Sequence, residues 1–203
     1  MDESSSTIMN TDNSTSSKET AINTSQNIEN FNQISPFMEK HILKAIAYNL
    51  RDIIRENIRN NQMKFVKHDI FFINRQHSIS IEDFVNLIFK STKMSISTLI
   101  MSIIYLDKFC ELNKYILSLK NIHRILIAAC LLSIKFNEDS ISTKYYSKIV
   151  GTTDSDLNNL ELYFYIKLQF SLFVDYDYYQ KYFDYFFNFK LDKWKLSGDK
   201  LYF

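Results

Sequence analysis

Apolar residues recur along this chain with a period near 3.6, and the pattern sets in only after residue 35. Ile42, Ile46, Leu50, Ile53 and Ile54 share one helical face. Ser35 is a good N-cap ahead of it, and Pro36 brings a φ suited to the first helical position. The spacing predicts an amphipathic helix from there to about Asn60. Residues 61–79 hold no sustained period and read as a long connection, pinned down by Phe71, Phe72 and Ile73. A second helix opens at Ser80-Ile81-Glu82-Asp83, a capping-box pattern that satisfies backbone N–H groups otherwise left without partners. Ile81, Phe84, Leu87 and Ile88 form its stripe, and it ends near Ser91. A third helix, about 95–111, carries Ile96, Leu99, Ile100, Ile103 and Ile104, and Asp107 falls on that stripe, where a carboxylate requires a partner.

The stretch 125–134 is apolar nearly all round, which predicts a central helix at about 119–136 enclosed by others. Ala128, Ala129, Cys130 and Ser133 are small enough to let neighbours approach closely. A short helix at 143–150 stops at Gly151, and Thr153 with Asp156 then forms a second capping-box spacing. Leu157, Leu160, Phe164 and Leu168 trace one face of the helix that follows. Beyond Val174, Tyr178, Tyr182, Tyr185 and Phe189 recur at helical spacing in DYDYYQKYFDYFFNF. This predicts a last helix whose aromatic face packs on the rest or serves in part as a partner surface. With two Gly and one Pro in 203 residues there is little material for tight hairpin turns, so the fold class is all-α.

Length and composition restrict what such a fold can do. The 203 residues suit one domain plus tails. Residues 1–35 contain thirteen Ser or Thr and few aliphatics, too little apolar surface to offset the entropy of ordering, and read as a disordered leader able to accept phosphates. The N-terminus has no apolar signal region, and 125–134 is about half of the ~20 residues a bilayer requires. The expected location is therefore intracellular, nuclear or cytoplasmic, without a membrane partner. Cys110 and Cys130 show no metal-ligand spacing and read as reduced thiols. With 24 Lys+Arg against 23 Asp+Glu, the net charge of +1 provides no footprint for nucleic acid. Four isolated His, no P-loop, no glycine-rich fingerprint and no nucleophile elbow leave nothing like an enzyme site, so no catalytic residue, metal, cofactor or small-molecule substrate is expected.

Two charges stand out because each interrupts an apolar helical run: Lys135 in LLSIKFNED and Glu161 in LNNLELYFYIKLQF. Each has a structural reading. Lys135 sits in the last turn of its helix, where a cation complements exposed carbonyls and Glu138 offers a surface partner; Glu161 fits the solvent edge of its own helix. A functional reading comes from a resemblance. ISIEDFVNLIFKST, STLIMSIIYLDKF, LKNIHRILIAACLLSIKFNED, YYSKIVG and LNNLELYFYIKLQFSLFV follow the order and spacing of the cyclin family. In particular they resemble the single-box P/U-type cyclins related to fungal phosphate-signalling cyclins.

The resemblance implies a five-helix cyclin box over 79–174, flanked by the helix and connection at 36–78 and by a C-terminal aromatic helix and tail at 175–203. A second box does not fit in the residues after 174. It also implies a regulatory subunit that forms a heterodimer with a cyclin-dependent serine/threonine protein kinase and holds the kinase's PSTAIRE-type helix in the active position. The groove between the third and fifth box helices would bind that helix. Its kinase-binding residues would be Leu132, Lys135, Phe136, Glu138, Glu161, Phe170 and Leu172. His123 and Arg124 resemble the start of the family's central helix and are expected to cap or pack. Asp107 resembles an aspartate that pairs with an Arg in the first box helix, but Leu87 stands at that position. Lys90 or Arg124 could take its place, and a surface position would remove the need. Gly151 stands alone where a Gly pair is common, and Ser142-Thr143 replaces an Asn. These departures leave two other readings, a diverged box acting as a scaffold without activation and a transcription-factor-like nucleic-acid adaptor.

Overall fold

Side chains that terminate helices set the chain's course. The computed structural model describes residues 34–60, 69–73, 78–138 and 141–190. The chain divides into two units, Met1–Pro36 and Phe37–Phe203, and the second holds the helical body. Most of the expected leader, residues 61–68 and 74–77 of the connection, and the tail from 191 lie outside the described residues. The helices are α1 (Pro36–Arg59), α2 (Ile81–Thr92), α3 (Ile96–Asn113), α4 (Ile122–Asn137), α5 (Thr143–Val150), α6 (Asp154–Lys167) and α7 (Tyr176–Phe187). No strand occurs among the described residues, in keeping with the scarcity of Gly and Pro.

The caps explain the boundaries. Ser80 accepts the Asp83 N–H at 3.0 Å and donates to the Asp83 carboxylate at 2.7 Å. Ser95, Thr153 and Asp175 accept from Thr98, Asp156 and Tyr178 in the same way, at 2.9–3.1 Å. Gly151 closes α5 in the left-handed region at φ 70°, where glycine has no steric penalty. Lys93 and Lys114 close α2 and α3 there too, at φ 56° and 49°, despite the Cβ cost.

α4 is the central helix, buried at every position from Ile122 to Ile134 except Arg124. Its small residues admit α3 closely: Ser133 Oγ donates to the Thr98 carbonyl at 2.7 Å, and Cys130 Sγ lies 3.5 Å from Ser102 Oγ. α6 packs on α4 through Leu157, Leu160 and Phe164, all fully buried. Phe71 anchors the connection: it is fully buried, with edge-on contacts to Phe109, Tyr115, Tyr163 and Phe164. The Ile73 N–H reaches the Lys120 carbonyl at 3.0 Å. Tyr115 donates its hydroxyl to Asp69.

Several expectations are corrected. α4 begins at Ile122 rather than 119, because the Asn121 side chain accepts from the Ser118 N–H at 2.8 Å and donates to the Ile116 carbonyl at 2.9 Å, fixing a turn ahead of the helix. Of the two roles expected of His123, packing holds and capping does not. The side chain is buried, edge-on to Phe84 at 4.8 Å, with Nε2 3.1 Å from the Ile79 carbonyl. Leu87 is 37% exposed, and Val85 and Phe89 complete the α2 stripe in its stead. Arg124 does not serve Asp107. It forks onto Asp156 at 2.7 and 2.8 Å and donates to the Ile70 carbonyl, tying the starts of α4 and α6 to the connection. Asp107 lies at the surface and accepts from the hydroxyl of Tyr182 in α7. In α7 the fully buried ring is Phe186, while Tyr185 is half-exposed with its hydroxyl bonded to Asn49 of α1.

Candidate functional site

The C-terminal half of α4 and the middle of α6 meet where their apolar faces pack, and this brings Lys135 and Glu161 together. Lys135 Nζ lies 2.8 and 2.7 Å from the two carboxylate oxygens of Glu161, with side-chain exposures of 33% and 17%. Lys135 stands in the last turn of α4 as its structural reading has it, but it pairs with Glu161 and not with Glu138, and Glu161 is a paired rather than a solvated charge. In so accessible a setting the ion pair itself adds only about 0.5–1 kcal/mol to stability. Lys135 retains a third proton and Glu161 further lone pairs for another molecule.

The other residues expected at the site divide into three kinds. Phe136 and Phe170 are exposed, at 54% and 60%. Leu132 and Leu172 are buried and belong to the core beneath, where the Leu172 carbonyl accepts from the Tyr105 hydroxyl at 2.9 Å. Glu138 turns to α3, its Oε1 accepting from the N–H of the N-cap Ser95 at 2.6 Å. It closes the helix end that Ser95 opens, and so positions α3 against the end of α4. Phe170 is held at φ 58° directly after Gln169 at 55°, with its ring edge-on to Tyr165 at 4.9 Å. Each left-handed non-glycine residue costs about 1–2 kcal/mol, so the turn carries strain while it presents the ring to solvent.

Sequence reasoning missed Leu162, Ile166 and Phe173, which are 57%, 47% and 76% exposed. At about 100° per residue, Glu161, Tyr165, Leu162 and Ile166 succeed one another around α6, from Glu161 about 60° from the buried Phe164 to Leu162 and Ile166 about 160° from it. The signal was present: LNNLELYFYIKLQF is apolar on more faces than a helix with one buried face uses. Together with Phe136 and Phe170 these residues make an unusual concentration of exposed apolar surface on the elements bearing the ion pair.

Titratable groups elsewhere are explained by packing. Arg124 beside Asp156 holds its carboxyl below the usual range, with help from the Thr152 hydroxyl. Burial pushes the Cys110 thiol up to about 12 and that of Cys130 to about 11, far from the thiolate a nucleophile needs. Among the described residues no cluster of three His, Cys, Asp or Glu could hold a metal ion, and no helix is long and apolar enough to cross a membrane.

A helical box around a central helix buried along most of its length, with a charged pair joining its third and fifth helices, has the architecture of the cyclin box. The chain belongs to the cyclin family, in its U/P-type branch: the family model described as Cyclin matches residues 2–172. Cyclin-U2-1 of Arabidopsis thaliana is 32% identical over 129 residues, 63% of this chain and 58% of that protein. Cyclin-U4-3 of the same plant is 33% identical over 135 residues, 66% and 61% of the respective lengths. Cyclin-P3-1 of Oryza sativa subsp. japonica is 28% identical over 107 residues, 52% and 45%. The matches thus span about half to six tenths of these relatives.

Proposed function

We propose that this chain is a regulatory subunit, not an enzyme, that pairs with a cyclin-dependent serine/threonine protein kinase and stabilises its active conformation by docking the PSTAIRE-type helix. The observation that supports this most is the Lys135–Glu161 ion pair, set across α4 and α6 beside exposed apolar side chains. In this reading the spare proton of Lys135 and the free lone pairs of Glu161 meet main-chain and polar groups within one short stretch of the kinase segment. Phe136, Leu162, Ile166 and Phe170 bury apolar surface at about 25 cal/mol per Å². Leu132 and Leu172 support this surface from below, and Glu138 positions it through Ser95.

Activation follows from differential binding. The kinase helix carries the Glu that must pair with the phosphate-positioning Lys, so a surface that fits only the inward position of that helix shifts the equilibrium toward the competent state. An intracellular location, nuclear or cytoplasmic, goes with this role.

The test is recovery of a kinase with the tagged chain. We expect wild type to retain it and Lys135→Glu, Glu161→Lys and the double exchange all to lose it. The double exchange restores the internal ion pair with its polarity reversed. Full recovery of the kinase by that variant would show that the pair serves the fold alone.

A further inference from the structure

Where α1, α3 and α7 converge they leave a cavity of about 330 Å³. That is far more than the few water-sized voids a packed interior tolerates. Its floor is apolar: Leu50 of α1, Ile103 and Leu106 of α3 and Phe186 of α7 line it, and all four are buried. Ile53 extends this lining on α1, yet it is 37% exposed. Apolar surface left wet inside a recess is what the apolar part of a ligand removes from water.

Polar groups converge on the same recess. Lys181 and Tyr185 line it from α7, four residues apart and so on one face of that helix. The Tyr185 hydroxyl accepts from Asn49 Nδ2 at 2.9 Å and keeps its own proton to donate. Lys181 is exposed, with neither a hydrogen bond nor an ion pair to any described residue. Asp107 lines the recess from α3; Tyr182 donates to its Oδ2, which leaves Oδ1 as an acceptor. Two donors on α7, one of them a cation, thus share an apolar recess with a carboxylate on α3.

We infer that this cavity binds a free apolar α-amino acid, its carboxylate held by Lys181 and Tyr185, its ammonium by Asp107 and its side chain on the apolar floor. Ligand cavities run from roughly 300 to 1,000 Å³, so this one suits a small molecule rather than a nucleotide or a lipid. Each charge excludes a simpler ligand. Asp107 opposes an apolar carboxylate, and Lys181 opposes an apolar amine. A zwitterion satisfies both through charge-assisted hydrogen bonds, the stronger kind. A ligand bound only by the folded chain also stabilises it, here by joining α7 to α3 and α1. The cavity lies apart from Lys135 and Glu161, and the inference does not depend on the kinase reading.

The full chain is titrated by calorimetry with L-leucine and L-phenylalanine. The controls are glycine, which has both charges and no apolar part, leucinamide, which lacks the carboxylate, and N-acetyl-L-leucine, which lacks the ammonium. Leucine and phenylalanine should bind saturably and at least about ten-fold more tightly than the controls, a difference of about 1.4 kcal/mol. Lys181→Gln should remove the margin over leucinamide, and Asp107→Asn the margin over N-acetyl-L-leucine. Lys181 is exposed, and the amide in Asp107→Asn still accepts from Tyr182, so both variants should melt near the wild-type temperature, which separates lost binding from lost folding. The Lys135→Glu/Glu161→Lys exchange should bind leucine as wild type does. Leucinamide binding as tightly as leucine would point instead to the N-terminal residue of a peptide and overturn the proposal. So would the absence of saturable binding, glycine or N-acetyl-L-leucine equalling leucine, or margins that survive in the two variants.

Discussion

Asp107 and Asp156 show what a residue's neighbours in sequence conceal. Both carboxylates are evident in the sequence as groups in need of partners, or as caps, yet the partners are residues far along the chain. Tyr182 is 75 positions from Asp107, and Arg124 is 32 from Asp156. Only the packing of α7 on α3, and of α4 on α6, decides these pairings. The depressed Asp156 carboxyl has a consequence for stability. Its ionised form is favoured by the fold, so the contribution is present above the ordinary value of 3.8 and is lost as pH falls below it through the lower folded value. Asp156→Asn should therefore lower stability near neutral pH by about 1–3 kcal/mol. It should also flatten the loss of stability below about pH 4, as read by urea midpoints across pH. A variant whose acid profile parallels wild type would contradict the assignment.

At the scale of elements, the helices themselves are legible because their starts are chemical. Ser80, Ser95, Thr153 and Asp175 cap where they stand, and Gly151 ends α5. The start of α4 is misread because Leu119 prolongs the apolar pattern into a turn that the Asn121 side chain holds. In the site, Lys135 and Glu161 are legible as anomalous charges, whereas Leu162 and Ile166 are not, since apolar residues on a helix are expected inside. α7 is fastened by one buried ring, Phe186, and by two hydroxyls, Tyr185 to Asn49 and Tyr182 to Asp107. A cavity of about 330 Å³ lies beneath it, lined by Leu50, Ile53, Ile103 and Leu106. We expect Phe186→Ala to cost about 3–5 kcal/mol. Tyr182→Phe should cost about 1 kcal/mol, since an exposed carboxylate recovers water on losing its donor. Urea unfolding of the two variants checks the ranking, and equal losses would mean that the hydroxyl holds α7 as firmly as the buried ring.

Across the whole molecule, burial raises several acids in concert. Tyr105 is pushed up to about 12 and Cys110 to about 12, from ordinary values of 10.0 and 9.0. A raised value means the fold favours the neutral form, so this stabilisation is complete below the ordinary values and lost as pH rises toward 12. The protein should accordingly lose thermal stability between about pH 9 and 12, and Tyr105→Phe should make that loss shallower. A melting temperature constant over this range would contradict the burial.

The central claim, that the α4–α6 face switches on a kinase, is tested most directly by activity. A purified cyclin-dependent kinase recovered with the chain is assayed for peptide phosphorylation alone, with wild type, and with the Lys135→Glu/Glu161→Lys exchange. Wild type should raise kinase activity, and the exchange, folded to the same melting temperature, should leave it at the level of the kinase alone. Equal activation by both proteins, or none by wild type in a stable complex, would contradict the account.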